Sequence, residues 1–71
     1  MMRVHAHATL YIRRERAVAT AQVLVNGGKR RAEAIPAERR EADHTLSRGW
    51  AVRYRDHANG LGEPFGAWQL A

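Results

Sequence analysis

A pair of histidines is the first feature of this 71-residue sequence whose residue type and spacing could serve a chemical function, namely metal binding. His5 and His7 lie two residues apart, so on a strand both imidazoles leave the same face, as a metal-binding pair requires. His44 or His57 is available as a further ligand. Two ligands fall short of a metal site, and solvated histidines on a polar face explain the pair more simply. We therefore predict no metal and no cofactor.

An acid–base pair is the second candidate, because Asp56 and His57 are adjacent and Tyr54 is close in sequence. Consecutive strand residues point to opposite faces, so neither side chain can orient the other. Asp56 is a residue type that favours turns, and no nucleophile stands nearby. We predict that the protein is not an enzyme.

Basic residues give the clearest functional signal, since 12 Lys and Arg outnumber 7 Asp and Glu and leave a net charge of +5. Eleven of the 12 are arginine, whose planar fork suits phosphate contacts. If neighbouring strands bring the basic groups together, they form a patch able to follow a phosphate backbone. The candidate nucleic-acid-binding residues are Arg13, Arg14, Lys29, Arg30, Arg31, Arg53 and Arg55.

An ordinary solvated surface is the competing interpretation of these cations. Four glutamates would partly neutralise it, namely Glu15, Glu33, Glu38 and Glu41. The chain also lacks the aromatic signature of RNA-recognition motifs, a GXXG clamp and a convincing helix-turn-helix. The nucleic-acid prediction therefore rests on charge alone.

Aromatic residues support a different class of function, a small protein-binding factor or inhibitor. Such a protein would dock through a sheet edge or through a hairpin carrying Trp50 and Trp68, as a homodimer or on a larger partner. Its candidate residues are Tyr11, Trp50, Tyr54 and Trp68. Tyr11 shares the first strand's polar face with His5 and His7, where it could stack on a base or anchor a protein. A phage or mobile-element origin is suggested by small size alone.

Composition describes the domain that must position these residues. Residues 1–71 suffice for one domain, without cysteines for disulfides. Alanine supplies 13 of the hydrophobic residues, and Val, Leu, Ile and Phe together also number 13, so the core is thin. A thin core favours help from a second copy or another partner. The sequence shows no membrane span or signal peptide, so we expect a cytoplasmic protein.

Alternating residues predict the first half of the fold. Between Arg3 and Arg13, the apolar residues at every second position from Val4 to Ile12 alternate with polar ones. This pattern indicates a half-buried strand. Ala17 to Val25 alternate as a second strand, and Asn26-Gly27 suits a type I′ hairpin turn. The return strand would run from Lys29 to Ile35 at an exposed edge.

Proline and glycine divide the second half. Pro36 should end that strand and open a short helix over about 37–47, with an irregular loop as the alternative and Gly49 as the stop signal. Trp50, Val52 and Tyr54 then form a strand, a second hairpin turns at Asn59-Gly60, and residues 65–70 give the last strand. The predicted fold is mainly β, or α+β, with a small twisted antiparallel sheet of four to five strands.

Overall fold

A curled four-stranded sheet with one helix forms the protein. The computed structural model describes residues 1–56 and 68–71. Its elements, in chain order, are β1 (Met2–Val4), α1 (Arg14–Asn26), β2 (Arg31–Arg40), β3 (Leu46–Arg55) and β4 (Gln69–Leu70). The strands lie in sequence order, with β1 parallel to β2 and the β2–β3 and β3–β4 pairs antiparallel. The prediction of a mainly β fold with a small sheet of four to five strands is confirmed, although the sheet is mixed instead of wholly antiparallel because β1 runs parallel to β2.

Helix α1 occupies the segment where alternation predicts a second strand, so that strand is wrong. Ala17, Ala21 and Leu24 recur at helical spacing and turn one face toward the sheet. Alanine has the highest helix propensity and also satisfies any apolar pattern, so the alternating alanines were compatible with either period. The valines that suggested a strand lie on the exposed sides of the helix, as Val18, Val23 and Val25.

The Asn26-Gly27 hairpin is also wrong, because these residues end α1. Gly28 has a positive φ of 109°, and its N–H donates to the carbonyl of Val25 at 3.1 Å. The N–H of Lys29 donates to the carbonyl of Leu24 at 3.0 Å. These two bonds form a Schellman motif, in which glycine adopts the left-handed conformation just beyond the helix. The glycine signal was genuine, but it marks a helix end rather than a hairpin.

The hairpin of the structure joins β2 to β3 and replaces the helix or loop predicted over about 37–47. Pairing runs from Arg31 opposite Arg55 to Arg40 opposite Leu46, so the strand does not end at Pro36. Trp50, the partner of Pro36, directs its N–H and its carbonyl to Tyr11 on the other edge of β3. The Pro36–Trp50 pair therefore requires no N–H from proline.

A tight turn closes this hairpin without asparagine-glycine. The N–H of Glu41 donates to the carbonyl of Thr45 at 2.8 Å, and that of His44 donates to the carbonyl of Glu41 at 3.0 Å. His44 has a positive φ of 69°. Asp43 Oδ1 accepts from the N–H and the hydroxyl of Thr45, at 3.1 and 2.6 Å. The hydrogen bonds that Asp43 accepts stabilise this turn, and His44 adopts the positive φ that glycine adopts in common hairpins.

The long first strand predicted from Arg3 to Arg13 is reduced to two short pairings. β1 pairs only with residues 37–39 of β2, and Tyr11 forms a single antiparallel bridge with Trp50. Between them the chain turns, with the N–H of Ala8 donating to the carbonyl of His5 at 3.0 Å. Arg39 Nη1 donates to the carbonyl of Ala8 at 2.8 Å and holds this segment against the sheet.

The core is built mainly of alanine and divides between the two faces of the sheet. On the helix face, α1 packs on Val52 through its alanines, with Trp50 at the margin. On the opposite face, the segment after β1 covers the middle strands, and the buried residues there are Val4, Ala8, Ala37 and Ala51. Val52 is the largest fully buried side chain of the described residues. The structure thus has the thin core that the composition predicts, because most of its buried side chains are alanine.

The second predicted hairpin, at Asn59-Gly60, lies outside the described residues. Its expected result, an antiparallel pairing of the last strand with the Trp50 strand, is present as β3 and β4. Within the described ranges, no helix is both long and apolar enough to cross a membrane.

Candidate nucleic-acid interface

Three arginines project from the sheet face opposite α1, at the end where β2 begins and β3 finishes. Arg53 and Arg55 are two residues apart on β3, so they share a face. Arg31 lies directly opposite Arg55, and Glu33 lies directly opposite Arg53. The hairpin register thus brings together cations that lie 24 positions apart in the sequence.

Trp68, just before β4, contacts two of these arginines. The guanidinium carbons of Arg53 and Arg55 lie 4.3 and 5.0 Å from the centre of its indole ring. Cations at this distance from an aromatic ring are attracted by its electron-rich face. Because β4 pairs with β3 through Leu70 opposite Arg53, the strand pairing itself brings Trp68 to this position. The ring holds two long side chains in place on the surface.

Glu33 contributes a carboxylate to this cluster. It accepts a hydrogen bond from Arg53 Nε at 2.5 Å, and its other oxygen lies 3.7 Å from Arg31 Nη2. The Arg31 side chain nevertheless keeps 67% of its surface exposed. Glu33 therefore fixes the position of Arg53 and lies near Arg31, whose side chain stays largely open to solvent.

Lys29 and Arg30 lie at the same end of the sheet and extend the cationic surface around it. The N–H of Arg30 donates to the carbonyl of Arg55 at 3.1 Å. Lys29 Nζ lies 2.9 Å from Asp56 Oδ1 and 5.1 Å from the centre of the Tyr54 ring. The hydrogen bond that Lys29 donates to Asp56 raises the pKa of Lys29, so this ammonium group stays charged. Five of the seven predicted residues therefore share one end of the sheet.

Arg13 and Arg14 lie elsewhere, at the beginning of α1. The helix has 13 residues, which places its first residue about 18 Å along the axis from its last. The Arg14 guanidinium carbon is 5.7 Å from the centre of the Trp50 ring, on the helix face. The structure thus separates these two arginines from the cluster around Trp68.

The four aromatic residues of the alternative interface do not form one surface. Trp50 packs with Tyr11 beside α1, whereas Trp68 lies over arginines on the opposite face. The hydroxyl of Tyr54 donates to Gln69 Oε1 at 3.1 Å, so this tyrosine links β3 to β4. Within the hairpin predicted to carry them, Trp50 and Trp68 do not contact each other, because the two residues occupy different faces.

Histidines line a separate open groove. His5 and His7 are in the turn after β1 instead of on a strand, with ring centres 6.5 Å apart. His44 lines the same groove from the β2–β3 turn. Across residues 1–56 and 68–71, no group of three or more His, Asp or Glu side chains is placed to hold a metal ion. His57 lies outside the described residues.

Sequence reasoning missed the contact between Trp68 and the arginines, although part of the signal was present. Arg53 and Arg55 are two residues apart on a strand, a spacing that by itself puts them on one face, opposite Trp50 and Val52. No sequence pattern places Trp68 over these arginines, because its position depends on how β4 pairs with β3. Comparison of the chain with protein families, curated proteins and solved structures found no match.

Proposed function

We propose that this protein is a non-catalytic nucleic-acid-binding module, and that the arginine cluster around Trp68 contacts phosphates. The observation that carries the proposal is the pair of guanidinium groups held at 4.3 and 5.0 Å from one indole ring. Arginine side chains lose considerable rotamer freedom when they bind a ligand. Holding them in advance reduces that cost and favours phosphate binding.

The spacing of the cations also supports phosphate binding. Arg31 and Arg55 are opposite partners on adjacent strands, which lie about 4.8 Å apart. Lys29 and Arg30 continue the charge around the end of the sheet. Successive phosphates of a single strand lie within reach of such a row, and the net charge of +5 attracts the polyanion from a distance. Trp68 adds an aromatic group of the kind on which bases stack.

The test is a titration of fluorescently labelled DNA and RNA oligonucleotides, single-stranded and duplex, at several salt concentrations. We expect the logarithm of affinity to fall linearly with the logarithm of salt concentration, with a slope of about −0.7 to −0.9 per phosphate contact. The double variant R53Q/R55Q should bind at least about tenfold more weakly, and its slope should be shallower by about one to two.

A matched control removes the same charge from the far end of the hairpin. Arg40 is nine residues along β2 from Arg31, about 30 Å away, and Arg48 lies on β3 near that end. The variant R40Q/R48Q should bind almost as well as the unmodified protein. Absence of binding to every oligonucleotide at low salt, or equal losses in the two double variants, would contradict the proposal. Circular dichroism and thermal unfolding establish that each variant is folded.

A further inference from the structure

A second surface lies on one side of α1. It combines arginines with the two aliphatic side chains that, among the described residues after β1, are the most exposed. Ile12 is 85% exposed and Val23 is 68% exposed. Arg13 and Arg16 line a groove of about 510 Å³ together with Ile12, Tyr11 and Leu10. Arg16 and Val23 are seven residues apart, two helical turns, so they occupy the same side of α1. We call Ile12, Arg13, Arg16 and Val23 the helix-flank strip.

The structure holds Ile12 in solvent. On its N-terminal side, Tyr11 and Trp50 exchange two backbone hydrogen bonds of 2.8 and 2.7 Å. On its C-terminal side, the carbonyl of Arg13 already accepts from the N–H groups of Arg16 and Ala17, at 3.2 and 3.4 Å. Ile12 is therefore presented between two anchored points. Burying a large aliphatic side chain contributes about 1.5–3 kcal/mol, which a partner covering Ile12 would gain.

The charge of the strip selects the partner. Arg13 and Arg16 lie between the apolar ends, and Arg14 adds a third cation in the same turn of the chain. We propose that the strip docks an acidic amphipathic segment of another protein, whose carboxylates meet the arginines and whose apolar side chains cover Ile12 and Val23. Val23 lies about 10 Å along the axis from Arg16, a length that a partner helix spans in two turns.

A second copy of this chain is a poor occupant of the strip. Four of the acidic side chains already pair with cations of their own fold, and these are Glu33, Glu38, Glu41 and Asp56. Asp43 is engaged by Thr45 in the hairpin turn. Among the described residues this leaves Glu15, which stands between Arg14 and Arg16 in the sequence. The described residues of this protein of net charge +5 thus offer a second copy no cluster of unpaired acidic side chains.

The proposal is independent of the nucleic-acid function, because the strip lies on the helix side while the Trp68 cluster lies on the opposite face. The probe is a labelled 16-residue helical peptide with leucines two turns apart and glutamates between them. One matched peptide replaces leucine with glutamine and keeps the charge. Another replaces glutamate with lysine and keeps the leucines. Binding to the full protein is followed by fluorescence anisotropy.

We expect the leucine-glutamate peptide to bind at least about tenfold more tightly than either matched peptide, because the strip supplies both apolar and charged contacts. The variants I12S/V23S and R13Q/R16Q should each weaken binding at least about tenfold. The control R53Q/R55Q, which removes the same charge from the opposite face of the sheet, should leave it within about twofold. Circular dichroism shows whether the variants retain α1. Since all four strip side chains are exposed, their loss should not unfold the protein.

Three results would overturn the proposal. Equal binding of the leucine-glutamate peptide and its glutamine counterpart would show that the interaction depends on charge alone. Concentration-dependent dimerisation that is abolished in I12S/V23S would make a second copy the occupant. Competition by an oligonucleotide, together with equal losses of oligonucleotide affinity in R13Q/R16Q and R53Q/R55Q, would assign the strip to nucleic acid. The last result would leave the proposed function standing.

Discussion

Gly49 on β3 lies directly against the backbone carbonyl of Tyr11, so closely that a Cβ atom on Gly49 would overlap that oxygen. The contact exists because the bridge between Tyr11 and Trp50 brings the chain across the edge of β3. Gly49 was predicted to stop a helix. Its actual role is to leave room for this crossing, which the sequence could not reveal without the partner segment.

Gly49→Ala should therefore destabilise the protein, by about 1–3 kcal/mol, because the added methyl group must displace backbone rather than a side chain. The bridge at Tyr11 should open first, since its two hydrogen bonds depend on this approach. Urea unfolding measures the loss, and hydrogen exchange at the amides of Tyr11 and Trp50 locates it. Unchanged stability and unchanged exchange at these amides would show that the crossing does not need glycine.

Gly28→Ala should shorten α1 at its C-terminal end. Gly28 adopts φ of 109°, where an L side chain is strained even though no atom lies within 4 Å of the new methyl group. The expected cost is about 1 kcal/mol. Gly27→Ala is the matched control, because Gly27 has φ of −83° and alanine there is free of this strain, although its methyl group would lie 3.3 Å from the Val23 carbonyl oxygen; a smaller loss is expected. Thermal unfolding compares the two, and an equal or larger loss at Gly27 would contradict the Schellman assignment.

His44→Gly should stabilise the β2–β3 hairpin. His44 holds φ of 69° at an exposed position, and a non-glycine residue in this conformation costs about 1 kcal/mol. Glycine removes that strain but loses more chain entropy on folding, so a net gain of about half a kcal/mol is expected. The denaturation midpoint measures it. A destabilised variant would indicate that the imidazole makes a contribution larger than the strain.

Low pH should destabilise the turn between β2 and β3. Hydrogen bonds from Thr45 lower the pKa of Asp43, and the hydrogen bond from Arg39 lowers the pKa of Glu41. Carboxyl groups with lowered pKa values stabilise the fold above their unfolded pKa, near 4, and lose this effect as pH falls through the folded value. Asp43→Asn should reduce the loss of stability between about pH 5 and pH 2.

Urea midpoints measured across this pH range test the acid prediction. Thr45→Val removes the hydroxyl donor to Asp43 and keeps nearly the same shape, so it should reduce the pH dependence in the same direction. If Asp43→Asn retains the full pH dependence of the unmodified protein, the turn carboxylates are not responsible for it.

The fold class could be predicted because the Trp50 strand has a clean alternation and strand-forming residues. The helix could not, because Ala17, Ala19 and Ala21 fit a strand and a helix equally well. The prediction that Pro36 ends a strand was wrong for a different reason. A strand tolerates proline where the missing N–H is not needed for pairing, and the register of β2 with β3 decides where that is. Arg53 and Arg55 could be grouped from their spacing alone, whereas adding Arg31 and Trp68 required the register of three strands.

The parallel pairing of β1 with β2 has a consequence for the order of folding. Arg3 and Glu38 are neighbours in the sheet but 35 residues apart in the chain, with α1 between them. The β2–β3 hairpin closes through a five-residue turn, and α1 forms from contacts within its own sequence. Pairings across long loops cost more entropy and form later. The N-terminus should therefore dock last, and mutations in β1 should accelerate unfolding while leaving the refolding rate almost unchanged.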